Sequence, residues 1–176
     1  MYHLIGAYWG PRPESREEIA EKLLSFIEEI SVFEASLLHW HMATPKAEKK
    51  NPPPPKLTKE YIASVLKMQK TDFGSIPMPE IGFGLMAWTK SNAKFDATLS
   101  ANCGGYSKYL DNRINLNFDE SNPPPQYLLR DIFAIMVKIF DPDKAVINFS
   151  DNFSAKTGPW GALVAPPLEY YERSNT

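Results

Sequence analysis

The side chains with the clearest capacity for chemistry in this 176-residue chain are His39, His41, Cys103 and the glutamates Glu17, Glu21 and Glu28. His39-x-His41 would put two imidazoles on the same side of an extended segment, where they could share a metal ion. A third ligand must then come from elsewhere. His3 is the remaining histidine and Cys103 the sole cysteine, so no ligand set assembles by spacing. A surface or packing role outweighs metal binding, and no metal and no cofactor is expected. Cys103-Gly104-Gly105 could be a nucleophile in a permissive turn, with a histidine as base. It lacks a family-specific context, and a free cysteine at a strand end more often packs as a small apolar group. Gly82-Phe83-Gly84 has neither the third glycine nor the following helix of a dinucleotide loop, and no P-loop pattern occurs. No residue is assigned a catalytic role.

The glutamates read differently. At about 100° per residue, Glu17, Glu21 and Glu28 fall on one side of a helix, opposite its apolar stripe. A solvated helix face normally carries such charges. The same stripe also suits a basic partner, because complementary charge speeds encounter and suppresses wrong pairings. Trp9, Trp40 and Trp88 read as core residues. Trp160, set between Gly158-Pro159 and Gly161, reads as an interface anchor. The candidate partner contacts are therefore Glu17, Glu21, Glu28, Asp151 and Trp160.

Elements that must position these groups follow from size and pattern. With 43% hydrophobic residues, the chain is expected to form a single domain over 1–176, large enough to bury a core without disulfides. The 16 prolines cluster at Pro52 to Pro55, Pro123 to Pro125 and Pro166-Pro167, so they punctuate a folded domain and form no repeat. A lone cysteine and the absence of a leader-like N-terminus favour a cytoplasmic location. The longest apolar run, near residues 132 to 140, is interrupted by Lys138 and falls short of the roughly 20 residues of a membrane helix.

The formal charge of −2 conceals an asymmetry. Residues 46 to 70 hold seven lysines against Glu48 and Glu60, a local +5 that leaves −7 elsewhere. An acidic remainder argues against a general nucleic-acid binder and permits a basic protein partner. An ordinary solvated surface with one basic loop carries the same charges.

Tyr2 to Trp9 reads as a largely buried first strand, ended by Gly10-Pro11. Ser15 and Glu18 have capping-box spacing, and Ile19, Leu23, Phe26, Ile30 and Phe33 form the apolar stripe of a helix ending near Phe33 to Ser36. Leu37 to Met42 fits a short second strand with Leu38 and Trp40 on one face and His39 and His41 on the other. A Lys/Pro-rich loop over 44–57 leads to a short helix with Thr58 as N-cap. Asp72 to Gly82 reads as loop. Phe83 to Lys90, Phe95 to Asn102 and Arg113 to Phe118 read as an antiparallel meander with one polar face. Tyr127 to Phe140 reads as a third, deeply buried helix that is apolar nearly all round, followed by a strand at Ala145 to Ser150. The tail over 151–176 is loop-rich, with a last strand possible at Ala162 to Ala165. The predicted fold is α+β: a mixed, mainly antiparallel sheet of about five to six strands, with about three helices mainly on one face.

The opening Leu4-Ile5-Gly6-Ala7-Tyr8-Trp9-Gly10-Pro11-Arg12, followed by Glu17-Glu18-Ile19-Ala20-Glu21-Lys22-Leu23-Leu24-Ser25-Phe26, resembles the immunity protein 52 family of bacterial polymorphic-toxin systems. The resemblance is strongest over residues 4 to 41. The late Phe140-Asp141-Pro142, with a strand after it, adds to it. It implies a non-enzymatic inhibitor that binds a cognate toxin, commonly one with a restriction-endonuclease fold delivered by a specialised type VI secretion system. The complex is expected to be 1:1, with no direct nucleic-acid or membrane contact. No functional residue transfers position by position, and the Lys/Pro segment at 46 to 59 and the Gly158-Pro159-Trp160-Gly161 tail fall outside the matching pattern. Two other classes compete: a small metal-dependent or cysteine hydrolase using His39, His41 and Cys103, and a regulatory module that reads a peptide or small ligand on the polar sheet face.

Overall fold

The computed structural model describes residues 2–43, 56–70, 76–89, 93–119, 121–150 and 169–173. Most of the Lys/Pro-rich loop, the possible strand at Ala162 to Ala165, and both Asp151 and Trp160 lie outside the described residues. Among those described, the chain runs β1 (Tyr2–Trp9), α1 (Arg16–Phe33), β2 (Trp40–Met42), α2 (Lys59–Val65), β3 (Lys67–Met68), β4 (Phe83–Thr89), β5 (Ala97–Cys103), β6 (Asn112–Phe118), α3 (Gln126–Phe140), β7 (Lys144–Ser150) and β8 (Glu169–Glu172).

The strands form one antiparallel sheet in the order β2-β4-β5-β6-β1-β7-β8, with β3 pairing on β4 along the same edge as β2. Its eight strands exceed the expected five to six. The additional pair are β3, whose two residues are too few to show alternation, and β8, whose Glu-Tyr-Tyr-Glu falls in the tail read as loop.

β1 is central, antiparallel to β6 on one side and β7 on the other. Both of its faces are buried, from Leu4 and Tyr8 on one to Ile5, Ala7 and Trp9 on the other, which explains why its sequence lacks alternation. The meander alternates as its sequence does. Leu85, Ala87, Leu99, Ala101, Ile114 and Leu116 join the helices in one apolar cluster, while Thr98, Ser100, Asn102, Arg113, Asn115 and Asn117 point the other way. The helices share that cluster with one sheet face only.

α1 begins with the predicted capping box: the Glu18 amide donates to Ser15 Oγ at 3.2 Å and the Ser15 amide donates to the Glu18 carboxylate at 2.7 Å. It buries Ile19, Ala20, Leu23, Phe26, Ile27 and Ile30. α3 also buries six residues but is amphipathic, not apolar all round, because Tyr127, Arg130 and Lys138 face solvent. Between α1 and β2 the predicted strand is shortened. Ala35–Leu38 forms a single 3-10 turn, started where the Glu34 carboxylate accepts from the Ser36 amide at 3.2 Å. The Trp40 indole then donates to the Leu37 carbonyl, so Leu37 and Trp40 enter the core while Leu38 and His39 face solvent. Trp9 and Trp40 are core residues as expected. Trp88 instead lies half-buried on the helix-free face, stacked on His41 with ring centroids 5.9 Å apart.

The opening segment of the family resemblance and the late Phe140-Asp141-Pro142 that adds to it meet in space. Arg12, beyond the Gly10-Pro11 corner, donates to the carbonyls of Phe140 at 2.7 Å and Asp141 at 2.8 Å, which the end of α3 leaves without helical partners. Trp9 stacks on Phe140 at 5.9 Å, and the Gly10 amide donates to Asp143 at 2.8 Å. Asp141 ends the helix in the left-handed region, with φ of 45°. Asn112, 1% exposed, closes the other side: its amide nitrogen donates to Gly10 O at 2.7 Å and Gly105 O at 3.0 Å, and its oxygen accepts from the Gly105 amide at 2.7 Å. Signature residues therefore fasten β1, α3 and the β5 to β6 loop together.

Candidate functional site

The residues proposed for chemistry do not converge. His39 is exposed outside β2, whereas His41 is buried within it, so the pair does not present two imidazoles to one ion. Among the described residues no group of three or more His, Cys, Asp or Glu side chains gathers to hold a metal. Cys103 is buried, with its sulfur 3.8 Å from the Arg113 carbonyl, and desolvation pushes its thiol far above the usual range. The following turn is a packing device. Gly104 has φ of +78°, and a Cβ there would stand 2.7 Å from the Glu14 carbonyl. Native protein at pH 8 should accordingly react with a thiol reagent at least about 1,000-fold more slowly than unfolded protein, since access requires opening. Rapid labelling of the native state would revive the cysteine-hydrolase reading.

Glu17, Glu21 and Glu28 are exposed on α1, which carries five glutamates against Arg16 and Lys22. Glu21 contacts the Lys59 ammonium of α2 at 2.6 Å, and this hydrogen bond holds Lys59 above its ordinary pKa. Glu29 likewise pairs with Lys138 of α3 at 2.9 Å, and Glu14 with Lys22. Glu18, Glu21, Lys22, Ser25 and Glu29 line a groove of about 440 Å³ that Ile139 closes from α3. The Ser15 backbone and hydroxyl hold the Glu18 carboxyl below its usual range, so it stays anionic. Glu17 and Glu28 make no ion pair among the described residues. The stripe is an acidic surface able to receive a lysine or arginine. Asp151 and Trp160 lie outside the described residues.

A second surface escaped the sequence reading. On the helix-free face, register aligns a transverse row Lys67, Gly84, Asn102, Arg113, Tyr8 and Lys144. The next row carries Met86, Ser100, Asn115, Gly6 and Val146. Where β2 and β3 leave the middle of β4 uncovered, a cleft of about 340 Å³ opens, walled by Met42, Val65 and Met86 and rimmed by Lys67, Asn102 and Arg113. Gly84 contributes no side chain, and Gln69 lies across it, its amide nitrogen 1.9 Å from where a Cβ would stand. Strand alternation marked Arg113 and Asn102 as outward-facing. Nothing local in the sequence brings Lys67, on a two-residue strand, into their row.

Beside this cleft, Tyr8 lies along its own strand over Gly6 and donates to Asn115 Oδ1 at 2.9 Å. Burial pushes its phenol up to about 12, with the Arg113 charge acting weakly the other way. Because the folded value exceeds the unfolded value near 10, its contribution is complete below about pH 10 and is lost as pH rises through about 12. Denaturant titrations between these pH values should show an alkaline loss of stability that Tyr8→Phe reduces by about 2–3 kcal/mol. An unchanged pH slope in the variant would show that Tyr8 does not carry it.

The Immunity protein 52 family model matches residues 2–162. The chain belongs to that family. A search of curated proteins finds no match. The Immunity protein 52 match spans β1 through β7 and so includes both halves of the Arg12 junction. No helix among the described residues is long and apolar enough to cross a membrane.

Proposed function

We propose that this Immunity protein 52 member is a non-enzymatic inhibitor that binds a cognate bacterial toxin as a 1:1 complex. The toxin we envisage is a restriction-endonuclease-fold nuclease delivered by a type VI system, and the inhibitor acts in the cytoplasm without contacting nucleic acid. Family membership is the observation that carries this reading. The acidic face of α1 supports the choice of a nuclease, because a DNA-cleaving enzyme must offer phosphate a positive surface that glutamates can engage. Glu17, Glu21 and Glu28 are the proposed contacts on that face. Asp151 adds charge, and Trp160 adds an aromatic anchor.

The experiment is co-expression with the products of the adjacent genes, tested for a toxin, followed by pull-down and mass measurement of the complex. A stoichiometric complex that no longer cleaves DNA is the expected result. Folded protein that leaves the toxin unbound and active overturns the proposal.

A further inference from the structure

We propose that the cleft between β2 and β3 receives an acidic side chain of the toxin, so that the docking surface continues around the rim from the α1 glutamates to Lys67 and Arg113; this rests on the toxin reading above. Charge is the first argument. In a protein of net charge −2, Lys67 and Arg113 are exposed and make no ion pair among the described residues; Arg12, Arg16, Lys56, Lys70 and Lys108 make none either, but only Lys67 and Arg113 share the lining of one cleft. Among the described residues, the two cations thus lie unmatched on one cleft that no acidic side chain lines.

Geometry is the second argument. Lys67 and Arg113 stand three strand steps apart in one transverse row, about 14 Å between backbones. Between them Gln69 lays its amide across Gly84, which contributes no side chain, and the Asn102 amide nitrogen donates to the Ile81 carbonyl at 3.1 Å. Both cations are long enough to lean toward a shared anion seated beside the Gln69 amide, which can donate to it. The apolar walls, including Met86 at 54% exposure, suit the aliphatic stem that carries a Glu or Asp carboxylate on a peptide, which a bare phosphate lacks.

Continuity is the third argument. Lys59 at the start of α2 holds Glu21 of α1, and Val65 at the end of the same helix walls the cleft. Seven helical residues span about 10 Å, so one partner can touch acidic α1 and the cationic cleft together. Opposite charges at two neighbouring points fix the orientation of the partner as well as its approach.

The test uses the full chain, the toxin identified by the co-expression experiment above, and the variant pairs Lys67→Met/Arg113→Met and Lys67→Glu/Arg113→Glu, with thermal unfolding as a folding control. Dissociation from immobilised toxin should be at least about tenfold faster for the neutral pair, faster again for the reversed pair, with a gap that narrows as salt is raised. Variants that fold like wild type and dissociate within about twofold of it overturn the cleft while leaving the toxin reading intact. Should the reversed pair fail to fold, the neutral pair carries the comparison. Loss of duplex-DNA binding with unchanged toxin dissociation would assign the cleft to phosphate and equally overturn it. Wild type that binds no toxin overturns the toxin reading itself, and the cleft proposal with it.

Discussion

Replacing Asn112 with alanine is expected to cost about 4 kcal/mol of folding stability, although its own side chain points into the fold and is not among the proposed contacts. Its side chain makes three hydrogen bonds from a site 1% exposed, joining the Gly10 corner to the Gly105 turn. Alanine would leave the Gly10 carbonyl and the Gly105 amide without their partner. The Gly105 carbonyl would keep one donor, since the Arg12 amide also reaches it at 2.9 Å. Each stranded buried group costs about 1–3 kcal/mol, and the lost packing adds to it. Against a typical total of about 5–15 kcal/mol, the remaining stability would be marginal. Denaturant unfolding measures this directly. A loss below about 1 kcal/mol would mean that water or a local shift satisfies both groups.

Charge reversal on α1 should do the opposite: little to stability and much to binding. Glu17, Glu21 and Glu28 are exposed, and the one ion pair removed, Glu21 with Lys59, is a surface pair worth about 0–1 kcal/mol. Glu17→Lys/Glu21→Lys/Glu28→Lys changes the charge of that face by six. Electrostatic steering can raise association rates about 10- to 1,000-fold, so the triple variant should associate with a basic nuclease at least about tenfold more slowly at low salt. The deficit should shrink as salt increases. Association unchanged across salt concentrations would remove α1 from the interface.

The difference between these two variants follows the difference between what the sequence made legible and what it did not. Local patterns were readable: the Ser15 and Glu18 capping box, the α1 stripe, the Thr58 cap and the alternation of β5 and β6 all appear as their spacing implies. So was the acidic face, because helical geometry alone places Glu17, Glu21 and Glu28 together. What depends on register between distant strands was not readable. Lys67, Asn102 and Arg113 come together only because β3, β4, β5 and β6 pair in one alignment. The missed strands have the same cause, since β3 and β8 are extended through pairing with β4 and β7 and too short to show their own period. Trp88 was misread because strand alternation leaves open which face is covered. The helices settled that, placing Ala87 in the core and Trp88 on the open side.

The opening motif shows the limit from the other direction. Trp9-Gly10-Pro11-Arg12 belongs to the opening stretch that carried the resemblance and Phe140-Asp141-Pro142 to its looser support, and they touch one another: Arg12 holds the carbonyls at the end of α3 while Trp9 stacks on Phe140. They support the scaffold of this chain, whereas the proposed partner contacts are other side chains, on α1 and around the cleft from Lys67 to Arg113.

Growth rescue tests the central claim most directly. Cells expressing the cognate toxin, sought among the genes beside this one, should arrest, and wild-type protein should restore growth through a 1:1 complex, whereas the α1 triple variant, equally folded, should rescue poorly. Wild-type protein that is folded and abundant, yet neither binds the toxin nor restores growth, would contradict the account.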